Sequence, residues 1–122
     1  MAKIIEEDVL DLEAMADVLK AARERLEVGT SLWFENERVR VWEVRLDPGE
    51  SCAFHAHIRP YFWTCVAGGI GRQRSSDGAI RVLGYDEGDT SFWQGSPAHP
   101  LIHDLENIGD TVLRFVTVEL LR

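Results

Sequence analysis

The spacing of apolar residues divides the chain into a helical segment and a longer β-rich segment. Between residues 11 and 27 the apolar positions follow one another three or four residues apart, the period of a helix with one buried face; they are Leu12, Met15, Leu19, Ala22 and Leu26. Asp8 or Asp11 can cap the start of this helix, and Gly29 supplies a stop. We therefore expect a helix whose apolar stripe packs on the outside of the remaining domain or on a second copy of the chain.

From Thr30 onward the period changes to that of β-strands. Short apolar or alternating runs are separated by turn residues, and they cover 39–46, 51–57, 61–67, 70–75, 79–84, 90–94, 99–105 and 111–120. The apolar phase slips between Val41 and Trp42, which a β-bulge or burial on both faces would explain. The pattern predicts one domain over 1–122, with a helical extension over 1–29 and a closed or sandwich-like all-β part over 30–122.

The composition excludes several classes of partner. The chain has 122 residues, a formal net charge of −8 and no basic cluster, so neither a nucleic acid nor an anionic membrane surface is an expected partner. No apolar run is long enough to span a bilayer, and the start of the sequence lacks the apolar core of a signal peptide, so we expect a cytoplasmic protein. The two cysteines, Cys52 and Cys65, are then expected to be free thiols that point to opposite faces.

One predicted strand carries two histidines in a pattern that suits a metal ion. His55 and His57 lie two residues apart, and alternate residues of a strand point to the same face. Two imidazoles on one face can bind one metal ion. The chain has four histidines, and the other two, His99 and His103, lie close together in a later strand region. These two regions together are the candidate site.

Two motifs in these regions resemble those of the cupin superfamily. The first reads Gly49, five residues, His55-Ala-His57, Tyr61, six residues and Gly68, and the second opens at Gly88-Asp89 and ends in His103, three residues and Asn107. The resemblance covers residues 32–120. It implies a double-stranded β-helix, a jelly-roll-like barrel that often holds a metal ion inside. Tyr61 stands where these proteins usually have a glutamate ligand.

The third metal ligand is either His103 or His99. Counting forward from Gly88 places the ligand at His99, whereas counting back from the turn at Asn107 places it at His103. A turn fixes the register of the strand before it more firmly than a loop does, which favours His103. His99 remains an alternative ligand or a residue near the mouth of the cavity.

The resemblance also implies a pocket around the metal ion. Its inward face would carry Tyr61, as a weak ligand or as part of the wall, together with Trp63 and Cys65, and Phe92 is a further candidate for the wall. Three neutral histidines would leave a divalent ion such as Fe, Mn, Ni or Zn its full charge. Such a site would suit a small anionic or chelating organic molecule.

Two functions fit this site. One is a non-haem metal-dependent enzyme of the dioxygenase type, because cupins that lack the glutamate include dioxygenases with three-histidine iron. The other is a non-catalytic cupin that binds or senses a ligand, with a structural metal ion or none. We also expect a homodimer, because a small barrel leaves strand edges and a helix stripe to be covered and cupins commonly pair through them.

Overall fold

Two five-stranded antiparallel β-sheets face each other across a shared core in the computed structural model, which describes residues 2–122. In chain order the elements are β1 (Lys3–Val9), α1 (Ala16–Ala22), β2 (Ser31–Glu35), β3 (Val39–Leu46), β4 (Ser51–His57), β5 (Tyr61–Ala67), β6 (Gly69–Arg74), β7 (Ala79–Tyr85), β8 (Thr90–Trp93), β9 (Leu101–Asn107) and β10 (Leu113–Leu120). One sheet has the order β1-β7-β6-β9-β4, and the other has the order β2-β3-β10-β5-β8. The all-β architecture predicted from the strand spacing is confirmed.

The main core lies between the two sheets. Val44 and Phe115 come from one sheet and Tyr85 from the other, and each is less than a tenth exposed. Partly buried side chains of both sheets pack around them, among them Trp63 and Leu105. Alternate residues of inner strands such as β3 and β10 face this interior, as expected for a sheet with one buried face.

The slip of the apolar phase in β3 has one of the two expected causes, burial on both faces. Trp42 is buried on the inner face, and Val41 is half-buried on the outer face, so β3 carries apolar residues on both faces. β3 pairs with β10 without a break. Its other neighbour, β2, shifts register between Leu32 and Phe34, opposite Trp42 and Val41. The irregularity therefore lies in the edge strand β2 and leaves β3 regular.

Two turns fix the strands that carry the histidines. Between β3 and β4, Gly49 adopts a φ of 87°, which glycine tolerates without strain, and its N–H donates to the carbonyl of Asn107 at 2.9 Å. The amide nitrogen of Asn107, a fully buried residue, donates to the carbonyls of Leu46 (2.9 Å) and Thr111 (2.8 Å), and its oxygen accepts the N–H of Gly109 at 3.0 Å. These bonds tie the end of β9 to the start of β4.

The N-terminal segment differs from the helical extension predicted over 1–29, whose first residue lies outside the described part of the chain. Lys3–Val9 form strand β1, which pairs with β7, and the α-helix covers only Ala16–Ala22 rather than 11–27. Every side chain of β1 is exposed. Because β1 buries neither face, its sequence lacks the alternation that identifies a half-buried strand.

The helix lies on the outside of the barrel, which is one of the two positions expected for it. Its apolar stripe packs on the outer face of β4 and β9 in a second cluster, which comprises Ala22, Met15, Leu19, Phe54, Ala56, Ile58 and Ile102. Leu12 and Leu26, at the two ends of the predicted stripe, stay more than a third exposed and lie outside the helix. No helix among residues 2–122 is long and apolar enough to cross a membrane.

Candidate metal centre

Two neighbouring strands bring three of the histidines together. His55 and His57 point into the barrel from β4, while Phe54 and Ala56, which alternate with them, point outward to the helix cluster. His103 lies on β9 directly opposite His55 in the antiparallel register. The shared face predicted for His55 and His57, and the preference for His103 over His99, agree with this arrangement. The turn at Asn107, from which His103 was chosen over His99, fixes the register of β9.

The three imidazoles converge through the same ring atom. Nε2 of His57 lies 3.1 Å from Nε2 of His55 and 2.9 Å from Nε2 of His103. The ring centroids form a near-regular triangle with sides of 4.9, 4.8 and 4.9 Å. The Nδ1–H of His55 donates to the carbonyl of Ala53 at 2.7 Å, which leaves the lone pair of that imidazole on Nε2. The cluster therefore brings three Nε2 atoms together at one point.

Burial keeps these histidines neutral. It lowers the pKa of His55 and lowers those of His57 and His103 well below the usual value, and the neighbouring histidines lower the latter two further. Nδ1 of His57 and Nδ1 of His103 are buried, and neither has a hydrogen-bond partner among the described residues. Neutral, desolvated imidazoles are the form of histidine that binds a metal ion.

The spacing of the nitrogens fits a metal ion. Two ligands at right angles on one ion, with bonds of about 2.0–2.1 Å, lie about 2.9 Å apart. The two Nε2 separations of 2.9 and 3.1 Å match that spacing, and the candidate ligand atoms of all three residues lie within 4.8 Å of one another. The donor set and its geometry are therefore able to hold a divalent transition metal.

Tyr61 covers one face of this cluster. Its ring stacks on His57 with the centroids 3.9 Å apart and the planes 13° from parallel. Trp93 stands next to both residues, with its ring centroid 6.4 Å from that of His57 and 5.8 Å from that of Tyr61. Burial raises the pKa of Tyr61, so its phenol stays protonated. The residue at the position of the usual glutamate is thus a neutral wall of the site.

A cavity of about 90 Å³ opens in front of the histidines. Besides them it is lined by four aromatic residues, four aliphatic residues and three neutral polar or thiol residues, namely Tyr61, Trp63, Tyr85 and Phe115, Val28, Val44, Leu83 and Leu105, and Cys52, Gln73 and Thr117. The histidines belong to one sheet, whereas Trp63 and Phe115 belong to the facing sheet. The cavity therefore has a histidine wall and an aromatic wall, with Tyr61 beside the first.

Several sequence-based assignments to the pocket are corrected by the structure. Phe92 is 55 % exposed and pairs with Phe62 on the outer face of the sheet, because β8 turns Trp93 and not Phe92 inward. Cys65 points inward but is buried in the main core beyond the cavity. His99 is exposed in the loop after β8, where its N–H donates to the carbonyl of Ser96, and it does not join the histidine cluster. Trp63 does line the cavity, as predicted.

The two cysteines are free thiols, but they do not point to opposite faces. β4 shifts register against β9 between Cys52 and His55, and this irregularity turns Cys52 inward as well. Its Sγ lies 3.8 Å from Nδ1 of His55. Burial raises the pKa of the Cys52 thiol to about 11, so it is a neutral part of the wall.

The residues of the site that sequence reasoning missed include Cys52, Gln73, Tyr85, Trp93 and Thr117. Cys52 required knowledge of the bulge in β4. Trp93 required the pairing of β8 with β5, which places it opposite Tyr61. For Gln73 and Thr117 a signal was available, because each lies two residues from a buried position of its own strand, Gly71 and Phe115 respectively. The sequence did not show which face of those two strands is turned toward the cavity.

Comparison with solved structures identifies the fold. A cupin domain from Bordetella pertussis superposes with a TM-score of 0.65 at 24% identity, over 80% of this chain and 96% of that one. A cupin family protein with a double-stranded β-helix fold from Methanocaldococcus jannaschii gives a TM-score of 0.60 at 18% identity, over 74% and 76% of the two chains. A variant of oxalate decarboxylase from Bacillus subtilis gives 0.53 at 26% identity, over 68% of this chain and 22% of that one.

No family model and no curated protein sequence matches the chain. The similarity is therefore one of fold. It confirms the double-stranded β-helix that the two sequence motifs implied.

Proposed function

We propose that this chain, which has the cupin fold, binds a divalent transition metal through His55, His57 and His103 and acts as a dioxygenase-like enzyme on a small organic molecule that chelates the ion. The supporting observation is the convergence of the Nε2 atoms of three neutral histidines, at separations of 2.9 and 3.1 Å, on one side of a cavity. Hydrogen bonding between imidazoles does not account for this arrangement well, because two of the three Nδ1 atoms are buried without partners among residues 2–122.

The residues of the chain have distinct tasks in such a site. His55 is oriented by its bond to the carbonyl of Ala53, and His57 is held by the stacked ring of Tyr61. Trp63 and Phe115 exclude water from the opposite wall, which strengthens electrostatic interactions at the histidine wall. A bound Fe²⁺ or Mn²⁺ would supply Lewis-acid and one-electron chemistry there. Because all three imidazoles are neutral, they would leave the full charge of the ion to an anionic substrate group.

The comparisons are compatible with this proposal without deciding the reaction. One structure of similar fold is an oxalate decarboxylase by name, and another, from Silicibacter pomeroyi, is a sugar phosphate isomerase by name. Cupins of this fold therefore include enzymes of different classes, and a fold does not determine a reaction. The dioxygenase assignment rests on the absence of a carboxylate at Tyr61, which leaves a site of three neutral ligands.

Metal content is the direct test. Protein stripped with a chelator and reloaded separately with Fe²⁺, Mn²⁺, Ni²⁺ or Zn²⁺ should bind about one ion per chain by elemental analysis. His57→Ala should lose that ion, whereas His99→Ala, which changes an exposed histidine outside the cluster, should retain it. Equal metal content in the two variants would refute the assignment of the ligands.

Oxygen consumption separates the two functions. The Fe²⁺-loaded protein should consume O₂ with at least one member of a panel of small O,O- and O,S-chelating acids, ketones and thiols, and His57→Ala should not. Stoichiometric metal together with chelator binding but no turnover would favour the non-catalytic, sensing cupin instead. No metal binding at all would refute both the enzyme and a structural metal.

A further inference from the structure

We propose that the substrate of this site carries negative charge only on the atoms that bind the metal, and that the rest of the molecule is small and uncharged. This inference rests on the proposed function, because it assumes that the three histidines hold the ion. It is carried by the charge, the shape and the volume of the cavity beyond the histidine wall.

No side chain that lines the cavity, among residues 2–122, is a lysine, an arginine, an aspartate or a glutamate. Two arginines, Arg72 and Arg74, flank the cavity residue Gln73 on β6 and could in principle bind an anionic ligand. Because side chains alternate along a strand, both arginines point to the outer face of the sheet. There Arg72 lies 3.6 Å from Glu106 and Arg74 lies 2.6 Å from Asp104 in ion pairs. The guanidinium of Arg74 also packs over the ring of Phe54, 4.8 Å from its centroid. Both arginines are committed outside the barrel.

The cavity wall away from the histidines is aromatic, with Trp63 and Phe115 on the facing sheet and Tyr85 on the histidines' own sheet. Trp63, Tyr85 and Phe115 contact one another edge to face, with ring centroids 5.7, 5.5 and 4.9 Å apart. Leu83 and Leu105 complete the apolar part of the lining. A charged oxygen placed against this wall would be desolvated without a counter-ion, which is costly, whereas a methyl or methylene group would gain hydrophobic contact.

The polar groups that remain carry no charge that could compensate that of an anion. Gln73 donates from Nε2 to Oγ of Ser75 at 3.0 Å and turns the rest of its amide toward the cavity, and Thr117 contributes a hydroxyl. An amide and a hydroxyl can bond a carbonyl or a hydroxyl of a ligand, but they do not neutralise a carboxylate.

The volume limits the size of the molecule. The cavity holds about 90 Å³, which is less than the ~150 Å³ of an apolar cavity known to bind benzene. A ligand of roughly six non-hydrogen atoms or fewer is the expected occupant. A short 2-oxo or 2-hydroxy acid with an alkyl end is one chemical class with these properties.

Pyruvate and oxalate form a matched pair for the test. Both have six non-hydrogen atoms and both chelate through two oxygens in a five-membered ring, but pyruvate presents a methyl group where oxalate presents the free, negatively charged oxygen of its second carboxylate. Each would be titrated into Ni²⁺-loaded protein by calorimetry, and into the free ion in the same buffer. The measured quantity is the ratio of the oxalate affinity to the pyruvate affinity.

We expect this ratio to be lower in the protein than for the free ion by roughly tenfold or more, because the free, charged oxygen of the second carboxylate is desolvated against the uncharged cavity wall. Gln73→Arg, which puts a cation on the inner face of β6, should restore the preference for oxalate. Gln94→Arg, which adds the same charge in an exposed loop outside the cavity, should not.

Each result is decisive. A ratio equal to or above that of the free ion, or an equal effect of the two arginine variants, would overturn the inference while leaving the metal site intact. Failure of the protein to bind Ni²⁺ is detected before any titration and would instead overturn the proposed function, together with the inference that rests on it.

Discussion

Replacing His103 by leucine should separate the stability of the fold from the stability that a metal ion adds. In the metal-free protein this change removes the contact between Nε2 of His103 and Nε2 of His57 at 2.9 Å, and it also removes a buried Nδ1 that has no described partner. A lost hydrogen bond costs about 1 kcal/mol, and removing an unsatisfied buried group relieves about 1–3 kcal/mol. The metal-free His103→Leu protein should therefore unfold within about 2 kcal/mol of the wild type, or be slightly more stable.

The metal-loaded proteins should differ much more. At a free metal concentration about 1,000 times the dissociation constant, binding stabilises the wild type by about 4.1 kcal/mol. If the loss of one of three ligands weakens binding about a thousandfold, the same metal concentration stabilises the variant by only about 0.4 kcal/mol. For a chain of this length about 1 kcal/mol shifts the Tm by roughly 3–5 °C, so the metal should raise the Tm by about 12–20 °C in the wild type and by about 1–2 °C in the variant.

Differential scanning calorimetry with and without Mn²⁺ or Ni²⁺ measures both quantities. His99→Leu is the matched control, because it replaces an exposed histidine of the same loop and strand region with the same residue. It should keep the full metal-dependent shift. If His99→Leu lost the shift and His103→Leu kept it, the choice of third ligand would be wrong. If metal-free His103→Leu were destabilised by about 4 kcal/mol or more, the histidine cluster would be part of the folding core.

Three further outcomes are expected. Tyr61→Glu should bind divalent metal more tightly and anionic chelators more weakly in calorimetric titrations, because it places a carboxylate beside His57; unchanged metal affinity would show that the new side chain does not reach the ion. Trp42 Nε1 donates to the side chain of Glu119 at 2.6 Å, and burial raises the pKa of Glu119. The contribution of Glu119 to the free energy of unfolding is therefore full below about pH 4 and is lost as the pH rises through the raised pKa. In the wild type the urea midpoint should therefore fall as the pH rises through this range, and Glu119→Gln should make the fall less steep. An unchanged slope in the variant would assign the fall to other groups. Light scattering at micromolar concentration should give the mass of a homodimer, and a monomer mass would reject that proposal.

The placement of the candidate ligands could be predicted from the sequence where local rules determine it. The alternation of a strand is independent of its surroundings, so His55 and His57 could be placed on one face without knowledge of the fold. The turn at Asn107 is likewise local, since its side chain bonds to Gly109 two residues later and to Thr111 four residues later, and it fixed the register of His103. The resemblance of two short motifs to those of cupins then predicted the double-stranded β-helix fold.

The errors arose where a residue's direction depends on its partner strand. Phe92 and Trp93 are adjacent aromatic residues, and only the pairing of β8 with β5 decides which one faces the cavity. Cys52 was assigned to the wrong face because a bulge, absent from any local pattern, lies between it and His55. Residues 3–9 were assigned to a helical extension because an edge strand with both faces exposed leaves no periodic signal.

The contact between the segment after α1 and β4 has a consequence for self-association. β4 lies at one edge of its sheet, so its outward backbone groups are open to pairing with another chain. The N–H of Ala56 instead donates to the carbonyl of Arg25 at 2.8 Å. The polypeptide that leads out of the helix thus caps the edge of the strand that carries His55 and His57. A second molecule therefore cannot add a strand at Ala56 until that segment is displaced, so the N-terminal region limits self-association at this point of the histidine strand.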